Sequence, residues 1–157
     1  MSTLLDIKGL SIEFPTRRGT VEAARNVSLT VQSGEVLGLV GESGAGKSTI
    51  GNAIINLLEA PGRISDGSIR FEGEELRDKD DDAMRRVRGD RIGMIFQDPQ
   101  TSLNPLMTIG AQLVETIEKA TQLRGAAAQQ HAVELLEQVG ITEAVARLKA
   151  YPHQFSG

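Results

Sequence analysis

The chain has 157 residues and a formal charge of −4, from 17 Lys and Arg against 21 Asp and Glu; this length sets an expectation of about one domain, and the mild acidity gives no electrostatic reason to expect nucleic acid as the main ligand. It has no cysteine, which excludes a disulfide scaffold, a thiolate zinc site and a cysteine nucleophile. Aromatic residues are 3% of the chain, so its core must be aliphatic, and no apolar stretch is long enough to span a bilayer. The first residues, Met-Ser-Thr-Leu-Leu-Asp, lack the basic and apolar regions of a secretory signal, so a cytoplasmic protein is expected.

Residues 3–14 alternate apolar and polar in part, Leu5 and Ile7, then Leu10, Ile12 and Phe14, which predicts an edge strand or two. A loop is expected at 15–19, after which Val27, Leu29 and Val31 alternate again and 32–35 turn. Residues 36–40 (Val-Leu-Gly-Leu-Val) are continuously apolar, the pattern of a strand buried on both faces. Ile50, Ala53, Ile54, Leu57 and Leu58 then fall at helical spacing, with Pro61-Gly62 as the stop. A short strand and turn are predicted over 67–76, and an acid-then-base helix over 78–91, whose order suits the helix dipole. Residues 91–97 carry Ile92, Met94, Ile95 and Phe96 and predict a second buried strand. Beyond 101 the character is helical: Ile109, Leu113, Ile117 and Ala120, then Ala128, Ala132, Leu135, Leu136 and Val139 before Gly140, then a shorter helix over 143–149 ahead of Pro152.

Between the apolar run at 36–40 and the helix lies Gly41-Glu42-Ser43-Gly44-Ala45-Gly46-Lys47-Ser48-Thr49, which fits the phosphate-binding pattern G-x-x-x-x-G-K-[ST]. Gly44 and Gly46 let the backbone turn with no side chain in the way, so that successive N–H groups face one anion. The helix adds its positive end. Lys47 supplies a cation for the β- and γ-phosphates, and the Ser48 hydroxyl is a hard oxygen suited to Mg²⁺. A chance glycine-rich turn need not fall between a buried strand and an amphipathic helix, as this one does. At the end of the second strand two carboxamide or carboxylate groups compete for the metal: Asp98, as in a general P-loop NTPase, or Gln97, one residue earlier. Pattern alone leaves both open.

Residues 96–105, Phe-Gln-Asp-Pro-Gln-Thr-Ser-Leu-Asn-Pro, together with 41–49, resemble the nucleotide-binding subunits of ABC transporters, in the dipeptide and oligopeptide importer branch. The resemblance implies an α/β P-loop ATPase core with an N-terminal antiparallel β portion over residues 1–100, and a helical subdomain over 101–157. It implies ATP and Mg²⁺ as ligands, with Gln97 contacting the metal and the attacking water, and with Gly41, Glu42, Ser43, Gly44, Ala45, Gly46, Lys47, Ser48 and Thr49 around the phosphates. It makes Phe14 a platform for the adenine ring, against the alternative of an ordinary core phenylalanine. The partners implied are transmembrane permease subunits and a second ATP-binding subunit, with the protein peripheral on the inner face of the membrane. Tyr-Pro-His-Gln-Phe-Ser-Gly at 151–157 resembles the lead-in to the family's signature motif, with Phe155 in place of the usual leucine. No later apolar run ending in Asp-Glu follows, so the expectation is a subunit cut short at the signature, binding nucleotide without useful turnover alone. His153 precedes the signature and is not the family's switch histidine.

Overall fold

A computed structural model describes residues 2–97 and 99–155. It divides into two compact units, residues 1–92 and 93–157.

The first unit is built on one antiparallel sheet of four strands: β1 (Thr3–Thr16), β2 (Gly19–Gln32), β3 (Arg63–Phe71) and β4 (Glu74–Glu75), in the order β2-β1-β3-β4. Contrary to the expectation of an edge position, β1 is central, paired with β2 on one side and β3 on the other. Alternating burial reports which face of a strand is covered, not how many neighbours it has. The phase slip between Ile7 and Leu10 is resolved by a bulge. The register shifts there, Gly9 adopts φ +60°, and its N–H donates to Ser28 Oγ at 2.9 Å. One extra residue brings Ile7, Leu10 and Ile12 to the same buried face, where a flat strand would have turned them apart. Gly67 on β3 crosses at that point: a Cβ there would lie 2.6 Å from the Gly9 carbonyl carbon.

Two helices cover the sheet core. In α1 (Lys47–Ile54), Ile50 and Ala53 are buried; in α2 (Asp81–Asp90), Met84 and Val87 are. They join Ile7, Leu10, Ile12, Ile69, Phe71 and Leu76 in one cluster. Asp80 caps α2 by accepting from Ala83 N–H at 2.7 Å, a bond that contributes about 1 kcal/mol. The end of α2 is tied to the sheet by Arg91, which bonds Glu72 (2.5 Å) and Glu74 (2.9 Å) and lies over the Phe71 ring. Glu74 also pairs with Lys79.

The second unit is helical: α3 (Ile109–Ala120), α4 (Ala126–Gln138) and α5 (Ala144–Arg147). Ala128 and Ala132 of α4, one turn apart, pack on Ile117 of α3, while Val133 and Leu136 pack on Ala144 of α5. Thr108 caps α3 through Ala111 N–H at 3.2 Å, and Gly140 (φ +81°) follows α4 as expected.

Both apolar runs read as buried strands form none. Val36 and Val40 are 96% and 95% exposed, and Ile95 is 89% exposed. A continuous apolar run specifies a strand that needs both faces covered and both edges hydrogen-bonded, and among the described residues none pairs with either run. The pattern states a requirement that these residues do not meet. α1 also stops earlier than its stripe suggests, with Asn56 at φ +52° and Leu57 N–H turned back to the Asn52 carbonyl. No described helix is long and apolar enough to cross a membrane.

Candidate functional site

The loop before α1 passes through two left-handed glycines, Gly44 at φ +83° and Gly46 at φ +81°, a conformation that residues with a Cβ hold poorly. At Gly46 there is also no space, because a Cβ would lie 2.1 Å from the carbonyl oxygen of Ala23 on β2. The sheet thereby sets the point at which loop becomes helix. Ala45 N–H donates to the Glu42 carbonyl at 3.2 Å and closes the turn between them. Gly46 is the N-cap and has no side chain with which to cap. The first-turn amides of Lys47, Ser48 and Thr49 therefore lack intrahelical acceptors, and with the helix dipole behind them they favour an anion.

The Lys47 side chain folds back over this loop, Nζ donating to the carbonyls of Gly41 at 2.8 Å and Glu42 at 2.6 Å. An ammonium has three donors, so one is left over while the loop carbonyls fix the position of the charge. Gly41, Glu42, Ser43, Gly44, Ala45 and Ser48 are exposed, and Gly46, Lys47 and Thr49 are partly buried. The nine predicted residues thus form one continuous accessible stretch at the start of α1. Amides, one fixed cation and the Ser48 hydroxyl make a donor set that fits a phosphate chain, with an oxygen ligand suited to Mg²⁺ beside it.

Phe14 lies on β1 opposite Val21, two residues along β2 from the Ala23 carbonyl on which Gly46 rests. Its ring is partly buried against the core, and the Gly62 backbone covers one edge; a Cβ at Gly62 would meet Phe14 Cε1 at 2.5 Å. Gln97 belongs to the second unit and sits in an exposed bend, not at the end of a strand. Asp98, its rival as a metal ligand, lies outside the described residues, as do Ser156 and Gly157. The support that sequence reading missed is Ala23: nothing local to residues 20–25 marks it, because the contact is made between distant parts of the chain.

The family profile described as ABC transporter matches residues 24–157. The chain belongs to the ABC transporter family. It is 46% identical to the oligopeptide transport ATP-binding protein OppD of Bacillus subtilis (strain 168), over 100% of this chain and 44% of that protein. With the dipeptide transport ATP-binding protein DppD of Haemophilus influenzae (strain ATCC 51907 / DSM 11121 / KW20 / Rd) the identity is 43%, over 98% of this chain and 47% of the relative. The chain therefore spans about half the length of these curated relatives. Among solved structures, the dimeric post-hydrolysis state of the ATP-binding cassette MJ0796, bound to ADP and Pi, superposes with a TM-score of 0.84 at 26% identity. That match covers 98% of this chain and 63% of the other. The fold is that of an ABC ATPase, a partial domain of it, with the antiparallel sheet at its N-terminal end.

Proposed function

We propose that this chain is the nucleotide-binding portion of an ATP-binding subunit of an importer for peptides or a related solute. The observation that carries the reading is the loop at 41–49: left-handed Gly44 and Gly46, uncapped amides at the start of α1, and the Lys47 ammonium fixed over them. In this reading the amides of 44–49 and Lys47 hold the β- and γ-phosphates of ATP, and Phe14 stacks on adenine. Ser48 and Gln97 would hold Mg²⁺, which when bound offsets phosphate charge. Identities of 46% to an oligopeptide and 43% to a dipeptide relative support peptide import as a class and separate neither cargo from the other.

The partners proposed are permease subunits and a second ATP-binding subunit, which would place the protein on the inner face of the membrane. An apolar groove of the second unit, lined by Ala111, Val114, Val145 and Leu148, and the exposed Leu106 beside α3 support a protein-facing role for that unit.

Calorimetry of the folded chain with ATP and Mg²⁺ tests the reading. Binding is expected, with Lys47→Ala weakening it at least about tenfold through loss of a charge-assisted contact. Gln97→Ala should lower the Mg²⁺ dependence of binding and Asp98→Asn should leave it. The reverse ranking would favour a soluble P-loop NTPase that uses Asp98, and no heat from well-folded protein would remove the nucleotide assignment.

A further inference from the structure

In the second unit the first turn of α3 is fastened on two sides. On one side, Gln112 Oε1 accepts from Asn104 N–H at 2.9 Å, and its Nε2 donates to the carbonyls of Asn104 (3.0 Å) and Met107 (3.2 Å). Both amide hydrogens of the side chain and its oxygen are thus engaged with one loop. That loop is also closed on itself, because Leu106 N–H donates to Asn104 Oδ1 at 3.0 Å and Met107 N–H to the Asn104 carbonyl at 3.2 Å.

On the other side, Ile109 N–H donates to the Ala150 carbonyl and Gly110 N–H to the Leu148 carbonyl, each at 2.8 Å. These are first-turn amides with no intrahelical acceptor, meeting carbonyls just past the end of α5 that have no intrahelical donor. The approach depends on glycine: a Cβ at position 110 would lie 2.6 Å from the Leu148 oxygen and 3.0 Å from its Cβ. From Ala150 the chain runs directly into Tyr151, whose N–H donates to Gln154 Oε1 at 2.8 Å, and on to Phe155, whose ring lies under the Arg147 guanidinium.

We infer that Gly110 and Gln112 are positioning residues that fasten the loop 104–107 and the segment 148–155 to the same helical turn, so that displacing one displaces the other. The joint consists of hydrogen bonds made by Ile109 and Gly110 on one flank and Gln112 on the other, all within one turn of α3. A partner pressing on the exposed Leu106 would be felt at Phe155 without touching it. The inference uses only contacts within the second unit and is independent of the nucleotide reading.

Amide hydrogen exchange on the full chain tests it. Gln112→Ala is expected to speed exchange at Asn104 about fivefold, the value of one lost hydrogen bond. Coupling requires a rise of similar size at Gln154 and Phe155, which Gln112 does not touch, with Ile7 of the first unit unchanged. Gly110→Ala should accelerate the same two distant amides, and the double variant should fall short of the product of the single effects. Faster exchange at Asn104 with wild-type rates at Gln154 and Phe155 would overturn the inference. Should Gln112→Ala unfold the unit, Gln112→Glu at neutral pH keeps the acceptor and removes both donors, and the same two amides report.

Discussion

At the scale of single residues, the site rests on a position where geometry permits only glycine. Gly46 combines φ +81° with an Ala23 carbonyl oxygen 2.1 Å from where a Cβ would stand. The left-handed backbone alone costs a substituted residue about 1–2 kcal/mol, and the clash must in addition push the loop off β2. Gly46→Ala is therefore expected to lower the urea midpoint and to abolish ATP binding measured on the fraction still folded. Gly44 shares the left-handed conformation and meets nothing within 4 Å, so Gly44→Ala should carry the backbone strain without the clash. Equal damage from the two substitutions would show that the Ala23 contact does not shape the loop. The local pattern of 41–49 was readable because nine consecutive residues contain both the geometry and the charge. Ala23 was not, since its part is played by a backbone carbonyl that any residue type would present.

At the scale of elements, the junction between β4 and α2 is held by charge. The Glu74 carboxyl lies below its ordinary value of 4.5, chiefly through its hydrogen bond with Lys79 and then with Arg91. Asp81 lies below 3.8, chiefly through Arg88. A lowered native value means that the stability each contributes is complete above the unfolded value and disappears as pH falls through the native one. Urea midpoints measured from about pH 6 to pH 3 should therefore decline, and Glu74→Gln should have a shallower acid limb than the parent. Exposure of these groups keeps the effect modest. An acid limb identical in the two proteins would remove Glu74 from the account. Helices were the most legible elements, because a helix satisfies its own backbone: Gly140 follows α4 as the sequence suggested, while the caps Asp80 and Thr108 emerged only in the structure. Strands were legible only in part. Leu5 and Ile7, then Leu10, Ile12 and Phe14, were read only as an edge strand or two, and bringing Ile7, Leu10 and Ile12 to one face required Gly9, Gly67 and Ser28 from three strands. The central place of β1 and the unpaired state of 36–40 both depend on neighbours, which alternation does not encode.

At the scale of the whole molecule, apolar side chains that a strand would have buried stand in solvent: Val36 and Val40 in one run, Ile95 in the other. Exposed apolar chain with unpaired backbone is a template for intermolecular pairing. Sedimentation of the 157-residue chain should show a mean mass that rises with concentration, and Val36→Lys with Ile95→Lys should reduce the rise. A parent protein that remains monomeric throughout would show that these runs are not adhesive. The two units, each with its own core, meet in sequence just after Arg91, whose guanidinium grips Glu72 and Glu74 while resting on Phe71. That grip acts as a mooring: tension applied to the chain from residue 93 onward is taken up by a side chain anchored in the β3–β4 turn before it can peel α2 from the sheet.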